Sequence, residues 1–178
     1  GDTCQNTNTT LITGNNGVGD AARPYLRFPL TSLPATDTVS DVDFSPEVTT
    51  AGAGEAVDVQ AYNQNGQADP SPDACATRGT RCADDASPYL DEDTFVQSTG
   101  VKTLQLPAAA NTDVEAAKDA VDRFSIGINE GAAIGSSICR IAAVEHATSQ
   151  EAQLIITHAA GAGRVLAAGG SLSGPMIV

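Results

Sequence analysis

Four cysteines, two histidines and a run of carboxylates are the side chains of this sequence best suited to chemistry. Cys75 and Cys82 flank a short polar segment, ATRGTR, that suits a closed loop, which leaves Cys4 to pair with Cys139. Four cysteines allow three pairings. This one would tie the N-terminal strand to a late strand, and a loop that long stabilises by nominally ~4–5 kcal/mol. A structural zinc site needs four converging ligands, usually with one close C-x₂₋₄-C pair. Neither the cysteine spacings nor the isolated His146 and His158 supply it. The disulfide reading implies an oxidising, extracellular setting. The sequon Asn8-Thr9-Thr10 agrees with it, with Asn8 as the glycan acceptor.

Asp84, Asp85, Asp91, Glu92 and Asp93 cluster within ten residues. Calcium takes six to eight oxygens from such loops. No D-x-D-x-D-G loop is present, so an ordinary acidic loop is the plainer reading and no cofactor is required. Ser, His and Asp all occur, but there is no G-x-S-x-G elbow, and His146 and His158 read as surface histidines. A glycosidase carboxylate pair would lack aromatic subsite walls, so the chain reads as non-enzymatic. Tyr25 and Tyr62, on the outward faces of their strands, are the residues that could stack on a sugar.

The net charge is −13, with lysine at positions 102 and 118 alone. Nucleic acid and anionic membranes both require a basic face, so neither is an expected partner. No stretch approaches the ~20 apolar residues of a membrane span. The start at Gly1 fits a chain from which a leader has been removed.

The elements that must position these residues have the period of strands. Asn8 to Thr13 is extended and NNGVGD is a turn. In RPYLRFPL, Leu26, Phe28 and Leu30 share a face, with Tyr25 and Arg27 opposite. VSDVDFSPEV turns Val42, Phe44 and Val48 inward, and AVDVQAY repeats the pattern with Val57, Val59 and Ala61. Gln64 to Asp85 is a long loop rich in Pro, Asp, Gly and Asn. Tyr89 to Gln97 and VKTLQLP are further strand candidates. Asp113 to Arg123 is the one helix expected, capped by Asn111, Thr112 or Asp113, with Glu115 in its first turn and a Val114, Ala117, Val121 stripe. FSIGIN, SICRIAAV and AQLIITH follow as strands. About nine short strands, one helix and no βαβ rhythm predict an all-β fold, a jelly-roll β-sandwich.

The order of these pieces resembles the DNRLRE-type domain, a jelly-roll module related to archaeal disaggregatases. The resemblance is carried by Asp2-Thr3, by YLRFPLTSLP at Tyr25 to Pro34, by Val39 to Phe44, by Val101 to Asn129 and by IAAVEHATSQEAQLIITH at Ile141 to His158. Pro29 stands where the family usually has aspartate, and the acidic, cysteine-bearing loop looks like an insertion. The resemblance covers about residues 2 to 158. It implies an extracellular, non-catalytic sandwich, sometimes with carbohydrate-binding roles.

The sequence therefore divides into a domain, 1–158, and an extension, 159–178, whose one charged side chain is Arg164. An unpaired apolar tail would be an aggregation hazard. RVLAA (164–168) and SLSGPMIV (171–178) are of strand length and sit on GAG and AGG hinges. They are expected to complete the sheet of a neighbouring copy, with Val165, Leu166, Leu172, Met176, Ile177 and Val178 at the interface. A head-to-tail contact of this kind propagates as a filament. The plainer alternative adds the strand to its own sandwich. Gly1 to Thr13 is a second candidate donor. The expected function is that of a secreted, homopolymeric structural subunit, with a carbohydrate-binding or adhesion module as the alternative and glycans as the partner in that case.

Overall fold

A computed structural model describes residues 10–15, 21–22, 24–61, 88–120, 123–130, 138–142, 151–160 and 174–177. The fold is all-β and sandwich-like, built from antiparallel sheets, with one α-helix among the described residues. In chain order the strands are β1 (Thr10–Asn15), β2 (Ala21–Ala22), β3 (Tyr25–Pro29), β4 (Thr38–Ser45), β5 (Glu47–Thr50), β6 (Val57–Ala61), β7 (Leu90–Asp93), β8 (Gly100–Val101) and β9 (Leu104–Gln105). The helix α1 (Ala108–Ala120) follows, then β10 (Arg123–Glu130), β11 (Ile138–Ala142), β12 (Gln153–Ala159) and β13 (Gly174–Ile177). The first sheet runs β2-β1-β11-β5-β8, the second β3-β10-β6-β7 and the third β13-β12-β4-β9.

Alternation decides which side chains reach the core. Leu26 and Phe28 of β3 face the same way as Phe124, Ile126 and Ile128 of β10, and Val57 and Val59 of β6 join them. Val42 and Phe44 of β4, Leu154 and Ile156 of β12, and Val48 and Ile141 of the first sheet belong to the same cluster. Phe28 meets Phe44 edge to face, with ring centroids 6.3 Å apart. Tyr89 stacks on Phe124 at 6.4 Å.

Two expected strands are broken where the chain changes sheet. The alternating run Val39 to Val48 becomes β4 in the third sheet and β5 in the first, with buried Pro46 at the corner. Proline cannot donate to a ladder, so it marks a strand end. Its carbonyl instead accepts the Lys102 N–H at 2.9 Å. VKTLQLP follows the same corner: Val101 pairs with Glu47 in the first sheet and Leu104 with Phe44 in the third.

The helix begins five residues earlier than expected and stops short of Arg123, which opens β10 opposite Pro29. Alanine is the best helix former. The run Ala108 to Ala110 therefore starts the helix directly behind Pro107, whose carbonyl accepts the Ala110 N–H at 2.8 Å. Asn111, Thr112 and Asp113 consequently lie inside the helix rather than capping it. Ala110 and Val114 carry its apolar stripe into the core, and Ala117 packs against that core.

The Cys4–Cys139 pairing is corrected. Cys139 is a free, fully buried thiol on β11. Its Sγ donates to the Thr13 carbonyl at 3.4 Å. Burial first, then the charge of buried Glu55, push the thiol up to about 11.

Candidate functional site

The terminal strand defines the site. β13 pairs antiparallel with the outer edge of β12, bringing Ile177 opposite Ile155, Met176 opposite Ile156, Pro175 opposite Thr157 and Gly174 opposite His158. In a single chain the segment thus closes its own sheet, the plainer of the two arrangements open from the sequence. Pro175 suits it, because proline within a sheet is confined to edge strands and strand ends. The connection back to β12 is 160–173, fourteen residues long. Antiparallel neighbours need only two to five residues between them.

The other edge of β12 pairs with β4, and there the register shifts. Thr157 faces Asp41 and His158 faces Val39, so Ser40 is the extra residue of a bulge. Side chains from α1 hold it. Asn111 Nδ2 donates to the Ser40 carbonyl at 2.9 Å, and the Ser40 hydroxyl donates to the Thr157 carbonyl at 3.1 Å. Glu115 Oε2 accepts the Val39 N–H at 2.9 Å. Lys118 Nζ donates to the Asp37 carbonyl at 2.6 Å and to Glu115 Oε1 at 2.7 Å. Asn111, Glu115 and Lys118 fall at i, i+4 and i+7, a single stripe on the helix. It is a polar stripe that replaces ladder partners for the first residues of β4.

Asp37 completes this clip. Its side chain is 1% exposed, and its Oδ2 lies 2.8 Å from His158 Nδ1. The expectation of a surface histidine is therefore corrected for His158, whose side chain is only 14% exposed. Lys118, at 2%, is more enclosed still. Burying charges costs several kcal/mol per ion unless they are paired and hydrogen-bonded, and here Lys118 has both kinds of partner. For Glu115, burial opposes the charged form. The hydrogen bonds from Lys118 and the Val39 N–H, together with the lysine charge, outweigh it and hold the carboxyl below its ordinary range. Away from the clip, partial burial and then the neighbouring Asp41 raise the carboxyl of Asp43.

The other expected residues are dispersed or lie outside the described part of the chain. Cys4, Cys75, Cys82, Asn8, Tyr62, Asp84, Asp85, His146, Val165, Leu166, Leu172 and Val178 lie outside it. Met176 and Ile177 are on β13. Asp91 is exposed on β7, Glu92 lies on the same strand, and Asp93 Oδ1 accepts the Phe95 N–H at 2.8 Å, beginning a short 3₁₀ turn over Phe95–Gln97. Among the described residues no three Asp, Glu, His or Cys side chains converge as a metal site would need. No described helix is long and apolar enough to cross a membrane.

Tyr25 is half-buried on the polar face of the second sheet, in register with Gly127. Arg27 and Ser125 share that face, with Gln60, Asn129 and Asp58 in the adjoining rows. Ser125 and Asn129 are buried there, and the Ser125 hydroxyl and both polar atoms of the Asn129 amide have no hydrogen-bond partner. The sequence signal for this face was Ser125, Gly127 and Asn129 alternating with Phe124, Ile126 and Ile128.

No family model, curated protein or solved structure matches the chain.

Proposed function

We propose that the protein is a non-enzymatic structural subunit of an extracellular filament, polymerising when its terminal strand leaves its own β12 and pairs with β12 of the next copy. The carrying observation is a four-residue edge strand returned to its sheet by a fourteen-residue connection. The contacts made within and between chains are the same, so the balance is set by effective concentration. A tether of about this length supplies on the order of millimolar. Exchange therefore competes at high local concentration or when the closed connection is strained. The contact is heterologous and does not close, so it propagates. The sequence between β12 and β13 holds glycine at 161, 163, 169 and 170. The resemblance of YLRFPLTSLP and its companion segments to a secreted module supports the extracellular setting.

The test is removal of residues 159–178. The truncated chain should remain folded and monomeric under conditions where the full chain forms filaments visible by negative stain. Filaments from the truncated chain would sink the proposal, and so would a full chain that sediments as a monomer at every concentration.

A carbohydrate-binding role is the second reading, favoured by the polar face around Tyr25. Tyr25 is half-buried there, and its accessible ring surface is one on which a sugar face can stack. Loss of glycan-array binding in Tyr25→Ala would support it, and an array with no retention would count against it.

A further inference from the structure

The clip lies beneath the same residues of β12 that receive the terminal strand. β13 pairs with Ile155 to His158. The register against β4 shifts between Thr157 and His158, so two of the four receiving positions flank the bulge. We infer that Asn111, Glu115, Lys118, Asp37 and His158 are positioning residues that set the register in which the terminal strand docks on β12. The inference deepens the strand-exchange reading and rests on it only where the docked strand belongs to a second copy.

A strand has a side-chain period of two, so a slip of one residue turns every side chain to the opposite face. A four-residue strand carries too few ladder bonds to fix its own register. The register must then be imposed by the edge it meets. A bulge bends and twists the strand that carries it, and it re-aims the peptide groups of the strand paired with it. At Thr157 and His158 that aim is held from below. Ser40 is tied to the Thr157 carbonyl and to Asn111, and His158 is tied to Asp37. Lys118 fixes the Asp37 backbone, and Glu115 fixes Val39. Helix, bulge and receiving edge form one connected unit, with polar contacts reaching across 71 to 121 positions of sequence. If the clip opens, the end of β12 can slide by one residue against β4. Pro175 and Gly174 then lose their partners, and the remaining half of the strand is too short to stay docked.

Hydrogen exchange read by mass spectrometry on the full chain, diluted to where it is monomeric, tests this. His158→Ala and Asn111→Ala should raise exchange over 174–177 about tenfold or more, together with 157–159. Exchange over 123–130, in the second sheet, should stay within about twofold. His158→Gln, whose amide can still donate to Asp37, should restore most of the protection. The inference is overturned if 157–159 loosens while 174–177 stays protected, or if all three segments loosen alike. If His158→Ala does not fold, Asn111→Ala carries the test alone, because it leaves both charge contacts in place. A chain that never polymerises would sink strand exchange and leave this result standing. Polymerisation with uncoupled exchange would sink only the register role.

Discussion

Two places in this sandwich bury polar groups, and they do so in opposite ways. In the first sheet, Cys139 sits beside Glu55 and Thr13, all three fully buried. There the thiol is driven up to about 11, and the Thr13 hydroxyl has no partner. At the junction of α1, β4 and β12, Lys118, Glu115, Asp37 and His158 are matched to one another and to backbone groups, and the Glu115 carboxyl is pulled down. In the Cys139 pocket the thiol is matched to the Thr13 carbonyl, but the Thr13 hydroxyl is left without a partner. In the clip each charged side chain has a partner. The difference lies in whether a buried polar side chain is left unmatched.

The largest expected contrast is chemical. With its thiol near 11, about one Cys139 in a thousand is a thiolate at pH 8. Iodoacetamide should label the unfolded chain at this position at least a hundredfold faster than the native one. Equal labelling rates would contradict the buried free thiol. A Cys139 that is unlabelled even after unfolding, until a reductant is added, would restore the disulfide. The next contrast is energetic. Lys118→Met removes the cation that joins Glu115 to Asp37. Breaking a fully buried pair costs about 3–5 kcal/mol. Glu115 reaches water, so about 2–3 kcal/mol is expected in urea unfolding; a change under 1 kcal/mol would mean the joint is not energetically coupled.

A smaller effect appears with pH. The Glu115 carboxyl lies below its unfolded value, so it contributes stability above the ordinary carboxylate range and loses it as pH falls through its folded value. Wild type should therefore lose stability more steeply than Glu115→Gln as pH falls below the ordinary carboxylate range, by a small amount because Glu115 is partly exposed and solvent screens its contacts. Parallel curves would remove Glu115 from the account of acid sensitivity.

The regular parts of the molecule were legible because their period is local. Leu26, Phe28, Val57, Val59 and Ile126 declare their face within a few residues of sequence. The corner at Pro46 was announced by the proline but hidden by the alternation continuing through it. The clip was not legible, because its partners are 71 to 121 positions apart. Asn111 and Glu115 look like cap and first-turn residues, and only the earlier helix start at Ala108 shows them as part of a mid-helix stripe. His158 could be seen at a strand end, but nothing near it in sequence identified Asp37.

The smallest effect sharpens the comparison most, because its sign differs between the two places. Removing a matched group from the clip must destabilise. Removing an unmatched group from the Cys139 pocket should not. Thr13 keeps its backbone pairing with Cys139 whatever its side chain, and the Cys139 Sγ bonds the Thr13 carbonyl rather than its hydroxyl. A buried hydroxyl without a partner costs about 1–3 kcal/mol of desolvation. Valine has nearly the same shape and lacks that hydroxyl. Thr13→Val should accordingly stabilise the chain by about 1 kcal/mol, raising the melting temperature by about 2–4 °C for a domain of this size. A loss of stability instead would mean that the hydroxyl has a partner, most simply an ordered water bridging to Glu55, and the pocket would then be a matched site like the clip.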